Sequence, residues 1–335
     1  MIAVIEEAMA LGLTEQKACD TMGISLRRFQ DWRQRASASG GGEFERRQKS
    51  PLVRPFNALT PDENEAIERA VNCAEWADLS CREISIKIME RDGLYISHVA
   101  IWEYEKQHGL AGHRGKRRLM GRHRGEAPDT SFLNGPNQLW DWDFTKLPTG
   151  IPHQFLYLCA VIDQYSRKVV GWQVSDRIDA RLAKATWDAA LIAEGVTFEN
   201  MPKSLSDRGS QMRAHSTREF FQDLGVAQLF ARPRTPNDNP YIESLFATVK
   251  THPNYPDLFP SPANAGEYFA VFFHWYNEEH LHTRIGMVTP NQKHNGEWRR
   301  IMAEREVVKK RTFMIRREFN KSLGQSNKDQ ECAIS

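Results

Sequence analysis

The chain has 335 residues, 40% of them apolar and 26% charged, with a net charge of +2. That length allows two or three domains with cores of their own, and no run approaches the roughly 18 apolar residues of a membrane span. The opening MIAVIEEAMALGLTEQ carries acids early and no basic stretch, so it does not read as a secretory signal. The five cysteines (Cys19, Cys73, Cys81, Cys159 and Cys332) include no C-x-x-C pair. This argues against a zinc knuckle or a disulfide framework and fits a reducing cytoplasm.

Charge is unevenly placed along the chain. Residues 113–125 hold six Lys/Arg and no acid, and residues 299–317 hold eight against Glu304 and Glu306. Between them, residues 131–295 have 15 basic and 17 acidic side chains. Basic flanks around a slightly acidic middle suggest a polyanion held at the edges of a carboxylate-rich centre.

In chain order, residues 2–12 have helical apolar spacing, and Thr14 is placed to cap a second helix. ACDTMGIS then reads as the turn of a helix-turn-helix, with Cys19 in the small buried position, Gly23 in the turn and Ser25 capping SLRRFQDWRQR. That helix turns Leu26, Phe29 and Trp32 inward and presents Arg27, Arg28 and Arg33 as a DNA-reading face. SASGGGE (37–43) is a linker by composition, so the first unit is 1–36 and the linker 37–54. A second helical unit, 55–112, opens with Thr60 as cap and Pro61 behind it. It continues with an amphipathic helix that buries Ile84, Ile88 and Met89, then a third helix entered through Ser97. It reads as a second helix-turn-helix, winged or not. The basic linker 113–130, with Arg114, Lys116, Arg117 and Arg118, leads onward.

From residue 138 the period changes to two. QLWDWDFTKL, FLYLCAVI and RKVVGWQV read as three strands joined by tight turns, the middle one buried on both faces. Asp163 and Ser166 read as the cap of the second turn. A helix over 180–195 is expected to bury Leu182, Ala185, Ala189 and Ile192. A short strand ending at Asp207, a helix stopped by Gly225, a strand AQLF and a helix starting at Asn239–Pro240 follow. Meander then helix–strand alternation is a mixed α/β domain with a central sheet, here 131–295, with a basic C-terminal tail over 296–335.

Three acidic positions stand out by context: WDWDFT (140–145), Asp207 and Glu243. Strand parity places Asp141 and Asp143 on one face, about 6.5–7 Å apart, and Trp140, Trp142 and Phe144 on the other. Periodicity alone does not choose between the two aspartates. On the last helix Ile242, Leu245, Phe246 and Val249 form the core stripe, and Glu243 and Lys250 lie in the adjacent row. Desolvating such carboxylates is costly unless a cation offsets it.

The segments NQLWDWDFT, VIDQYSRKVVGW, SDRGSQ, RPRTPNDNPYIESLFATVK and WYNEEHLHTRIGMVTPNQKH, in this order, resemble the integrase core of bacterial insertion-sequence transposases. The 35 residues between Asp207 and Glu243 match that family's spacing. The resemblance implies a ribonuclease-H-like fold, a mixed five-stranded sheet with flanking helices. It also implies Asp143, Asp207 and Glu243 as catalytic and metal ligands for two Mg²⁺, with Mn²⁺ as substitute, since hard cations favour carboxylate oxygens. Asp143 is selected over Asp141 by the family pattern, and Asp141 is read as an exposed acid or an outer neighbour of the metal site. The implied reaction is cleavage and strand transfer of double-stranded DNA, namely the element's terminal repeats and target DNA, by a homo-oligomer in the bacterial cytoplasm, at the nucleoid. Arg208, Arg234 and Lys250 are the implied phosphate contacts near the carboxylates. His280 and Leu281 stand where many relatives have arginine, and Leu205 where many have histidine. An inactive DNA-binding regulator derived from such an element, or another ribonuclease-H-like nuclease, is the alternative.

Overall fold

A computed structural model describes residues 2–38, 55–110, 130–207, 212, 215–230 and 239–334. Arg114, Lys116, Arg117, Arg118, Arg208 and Arg234 lie outside the described residues. The chain forms two compact units, one of residues 1–58 with 317–335 and one of residues 59–316.

The first unit contains α1 (Ile2–Ala10), α2 (Glu15–Thr21) and α3 (Leu26–Ala38). Thr14 caps α2 by accepting a hydrogen bond from the Lys17 amide. Gly23 takes a positive φ of 67° between α2 and α3, which a side chain would resist. Ile5, Ala18, Cys19 and Phe29 close a small core. Arg27, Arg28 and Arg33 are exposed. Arg33 pairs with Glu15 of α2 at 3.0 Å, and Arg28 lies 5.5 Å over the Trp32 ring.

In the second unit, α4 (Pro61–Val71), α5 (Cys81–Asp92) and α6 (His98–Gln107) pack around Ile67, Ile84, Ile88 and Ile101. Capping boxes at Thr60/Glu63 and Ser80/Glu83 start α4 and α5, and Ser97 caps α6. No strand occurs among the described residues of 55–110, so no wing is seen there.

Five strands follow in the spatial order β3-β2-β1-β4-β5. They are β1 (Leu139–Pro148), β2 (Phe155–Asp163), β3 (Val169–Ser175), β4 (Lys203–Ser206) and β5 (Gln228–Phe230). β1, β2 and β3 are antiparallel neighbours, whereas β4 runs parallel to β1 and β5 parallel to β4. The sheet is mixed, helices flank it, and the ribonuclease-H-like expectation holds.

On one face, Trp140 and Trp142 meet Trp187 of α7 (Ala180–Ala193) and Phe221 of α8 (His215–Asp223). On the other, Leu147, Leu158, Ala160 and Ile162 meet α9 (Pro240–Thr251) and α10 (Pro262–Glu278). The expected inner face of α7 is corrected. Leu182, Ala183, Thr186, Trp187, Ala190 and Leu191 are buried, whereas Ala185 and Ala189 are exposed and Ile192 is 81% exposed. Seating the large Trp187 ring on the β1 tryptophans sets the rotation of the helix, and the small apolar side chains follow.

The expected basic tail is a helix, α12 (Trp298–Ile334), which follows the short α11 (Pro290–His294). Its first part braces the second unit. Arg305 donates to the Met287 carbonyl at 2.8 Å and pairs with Glu90 of α5 at 3.0 Å. Arg316, buried, pairs with Glu63 at 2.7 Å and donates to the Tyr95 carbonyl at 2.6 Å. These basic side chains hold protein carboxylates and carbonyls rather than a polyanion.

α7 approaches β3 closely at Gly171. A Cβ there would lie 2.7 Å from the Ala190 Cβ and 2.9 Å from the Thr186 carbonyl oxygen. Gly171→Ala is therefore expected to destabilise the core by about 1–3 kcal/mol, read as a lower denaturant midpoint. An unchanged midpoint would show that the helix moves away without cost.

Candidate active site

β1 is the central strand, so both of its edges are paired, and helices cover its two faces. Opposite Asp143 in β2 stands Ala160, and β1 pairs with β4 through Leu139↔Lys203, Trp140↔Ser204 and Asp141↔Leu205. Continued for two residues past the last pair, the same register brings Asp207 alongside Asp143, one strand spacing away. The Trp142 indole donates to Ser204 Oγ at 2.9 Å, which fixes that register from the opposite face. Asp143 and Asp207 thus sit on the face covered by α9.

α9 is set by Pro240 in its first turn and by Ile242, Leu245, Phe246 and Val249, all buried against the sheet. This leaves Glu243 and Lys250 exposed in the neighbouring row, as expected. Asn239 precedes the helix, yet its side chain makes no capping hydrogen bond. It is buried, and its Oδ1 has no hydrogen-bond partner. The helix therefore starts without a side-chain cap from Asn239.

The three carboxylates interact through space. Burial, with added repulsion from Asp207 and Glu243, pushes the Asp143 carboxyl up to about 7 against the opposing Phe144 amide and Lys250. The Phe144 amide donates to Asp143 Oδ1 at 2.7 Å. Glu243 is also raised, by desolvation on its inner side and by Asp207. Among the described residues, no three His, Cys, Asp or Glu side chains are close enough to grip one ion as they stand. The donor set nonetheless suits Mg²⁺. That ion commonly takes one or two carboxylates and fills its remaining positions with water and substrate phosphate oxygens. Mutual repulsion among desolvated carboxylates is what a divalent cation relieves.

Asp141 is not an exposed acid, which corrects the expectation. It is fully buried, and Gln164 Nε2 donates to its two oxygens at 3.3 and 3.4 Å. Burial pushes its carboxyl up to about 8, with Arg167 and Gln164 opposing. Being central in the sheet, β1 leaves no solvent on either face at that position. Asp163 accepts from the Ser166 amide at 2.8 Å and hydroxyl at 2.6 Å, the expected turn cap.

His280 and His282 pack rather than ligate. They lie 4.6 Å apart edge to face, and both contact the Tyr276 ring. Burial pushes both below the ordinary histidine value, His282 to about 3. The motif signal missed Arg167. Its guanidinium lies 3.2 Å over the Tyr241 ring in the first turn of α9, and it donates to the Gln164 carbonyl. An arginine in a β-turn gave no sign in the sequence of reaching a helix more than seventy positions away.

The mixed sheet in the order β3-β2-β1-β4-β5 thus brings carboxylates from two neighbouring strands and a helix toward one face. Residues 134–236 and 224–290 each match an integrase core domain family. Among curated relatives, the transposase for insertion sequence element IS904 of Lactococcus lactis is 31% identical over 164 residues, covering 48% of this chain and 63% of that one. The putative transposase InsK for IS150 of Escherichia coli is 23% identical over 215 residues, covering 62% and 74%. The transposase InsF for IS3A of Escherichia coli is 29% identical over 180 residues, covering 49% and 56%. The chain thus spans somewhat over half to three quarters of these relatives' lengths. A simian T-cell lymphotropic virus intasome in complex with PP2A regulatory subunit B56 gamma has a TM-score of 0.41 at 15% identity, covering 63% of this chain and 70% of that one. The HTLV-2 integrase catalytic core domain in complex with magnesium has 0.36 at 15%, covering 48% and 97%.

A carboxyl held near 7 when folded and near 4 when unfolded binds more protons in the folded state between those values, so stability falls as pH rises from about 4 to about 7. Asn at position 143 has no charge to desolvate. Without divalent ions, Asp143→Asn should melt level with the wild type near pH 4 and above it at pH 8, by on the order of 1–2 kcal/mol after solvent screening. Thermal scans at the two pH values check this, and a gap independent of pH would contradict it.

Proposed function

We propose that the chain is a DNA transposase that cleaves and joins phosphodiester bonds at the ends of an insertion sequence. The observation that carries this reading is the approach of Asp143 on β1, Asp207 at the end of β4 and Glu243 on α9 to one face of the sheet, close enough for Asp207 to raise the proton affinity of both Asp143 and Glu243. The named insertion-sequence transposases among the relatives support it.

In this reading Asp143, Asp207 and Glu243 hold divalent cations, Mg²⁺ with Mn²⁺ as substitute. Such a pair supplies charge neutralisation at the scissile phosphate and an activated oxygen nucleophile. The chain's own part is to keep the three carboxylates ionised and aligned and to place the phosphate. Lys250, one row along from Glu243 and electrostatically felt by Asp143, is placed to take a phosphate oxygen. Water first frees a 3′-hydroxyl, and that hydroxyl then attacks a second phosphodiester without any covalent link to the protein. Arg27, Arg28 and Arg33 on α3 read the terminal repeats, with Arg114, Lys116, Arg117, Arg118, Arg208 and Arg234 adding backbone contacts. Pairing two ends requires at least a dimer on the DNA. No described helix is long and apolar enough to cross a membrane, and action at the bacterial nucleoid, in the cytoplasm, follows from the substrate.

With a duplex carrying the element's ends and Mg²⁺, Glu243→Gln and Asp143→Asn are expected to reduce cleavage to background while mobility shift of the duplex persists. Asp141→Asn should keep most activity. Its carboxyl is largely protonated at neutral pH, and asparagine preserves its size and an oxygen for Gln164. EDTA should abolish cleavage by the wild type. Wild-type rates in Glu243→Gln would remove the metal-site assignment, and a dead Asp141→Asn beside an active Asp143→Asn would show that the other aspartate is the ligand.

A further inference from the structure

The turn between β2 and β3 holds a long side chain in an unfavourable backbone conformation. Arg167 has a positive φ of 67°, a region that glycine and asparagine enter readily and other residues resist. Such strain persists only where the surroundings impose it, and it gathers at functional sites. The surroundings here are firm. The Ser166 amide and hydroxyl both donate to the Asp163 carboxylate. The Arg167 amide donates to the Asp163 carbonyl, and the Asp163 amide to the Lys168 carbonyl, each at 2.8 Å. The Gln164 amide donates to the Leu139 carbonyl of β1 at 2.9 Å. Asn277 of α10 closes the turn by donating to the Val169 carbonyl and accepting from its amide, both at 2.9 Å.

Two side chains of this turn reach the two elements that carry Asp143 and Glu243. Gln164 donates to Asp141, which lies two positions before Asp143 on the same face of β1. Arg167 lays its guanidinium 3.2 Å over the ring of Tyr241, which lies two positions before Glu243 on α9. The start of α9 has little other lateral support. Asn239 supplies no side-chain cap, and the first backbone bond of the helix, from the Glu243 amide to the Asn239 carbonyl, is long at 3.5 Å. The buried stripe of Ile242, Leu245, Phe246 and Val249 holds the helix against the sheet, while Arg167 holds its first turn from the side. A planar cation stacked on an aromatic ring is a directional contact.

We propose that Arg167 is a positioning residue: by clamping Tyr241 it fixes the first turn of α9, and with it Glu243, relative to Asp143 on β1. This rests on the reading that Asp143 and Glu243 hold a divalent cation. It adds that the β2–β3 turn is the brace spanning the two ligands, and that its strained backbone is kept for the sake of this side chain. Charge alone predicts the opposite effect. Arg167 is a cation close enough to act on Asp141, so its removal would favour a metal ion nearby, whereas loss of positioning disfavours one.

The test is a Mn²⁺ titration of the full chain without DNA, followed by the electron paramagnetic resonance of the free ion, below the melting temperature of every variant. Arg167→Gly removes the guanidinium and relieves the backbone, and it should weaken Mn²⁺ binding about tenfold, the usual effect of losing an outer partner of a metal site. Tyr241→Leu changes no charge and should weaken it to a similar degree, whereas Tyr241→Phe keeps the ring face and should keep most of the affinity. The two losses come from one contact, so Arg167→Gly with Tyr241→Leu should bind no more weakly than either alone. Cleavage of the end-bearing duplex should fall in the same order. Unchanged or tighter Mn²⁺ binding by Arg167→Gly, or losses that simply add, overturns the proposal. Glu243→Gln separates it from the reading beneath it. If Glu243→Gln binds Mn²⁺ as the wild type does, the metal-site reading falls and takes this inference with it. If Glu243→Gln binds weakly and Arg167→Gly binds as the wild type does, this inference falls alone.

Discussion

The structure depends on the two-sided burial of β1. Its neighbours β2 and β4 remove water from both edges, and α7, α8, α9 and α10 cover both faces. An apolar strand would meet that constraint without difficulty. This strand places two tryptophans on one face and two aspartates on the other. The tryptophans fasten it, through the Trp142 to Ser204 hydrogen bond and the ring contacts with Trp187. The aspartates bear the desolvation that results, and each resolves it differently. Asp141 is deeper and meets Gln164 and Arg167, whereas Asp143 faces two further carboxylates and Lys250. The same strand thus carries one carboxyl that protein groups satisfy and one that they leave in conflict. The second is the one we propose as a metal ligand.

The remaining polar interior supports that placement. At the end of β2, Asp163 is tied to Ser166, and Ser166 Oγ lies 3.0 Å from the His294 ring of α11. His294 pairs with Glu194 at 2.8 Å, and Glu194 with Lys168 at 2.7 Å. Despite desolvation, His294 and Lys168 hold the Glu194 carboxyl down at about 2. This network is closed, with donors matched to acceptors, unlike the carboxylate row near α9.

Two arginines of the basic run in α12 serve the fold. As sequence, Arg305 and Arg316 belong to a positive stretch suited to a polyanion. In the fold they reach backbone carbonyls, Glu90 and Glu63, and tie α12 to α4, to α5 and to the segment between α5 and α6. Burying an arginine is tolerable only with its partners in place, so these two positions serve cohesion.

Local pattern was sufficient for much of this protein. Period-two alternation marked β1, a continuous apolar run marked the doubly buried β2, and caps at Thr14, Thr60 and Ser97 marked helix starts, because these signals depend on neighbours a few residues apart. The integrase core, and the choice of Asp143 over Asp141, came from ordered motifs resembling a known family. Tertiary structure alone decided what depends on distant partners. It set the rotation of α7 through Trp187, the full burial of Asp141, the burial of Asn239 without a capping hydrogen bond, the bracing role of α12, and the reach of Arg167 to Tyr241. Each follows from packing or desolvation between elements far apart in the chain, and these energies leave no periodic trace in the sequence that pays them.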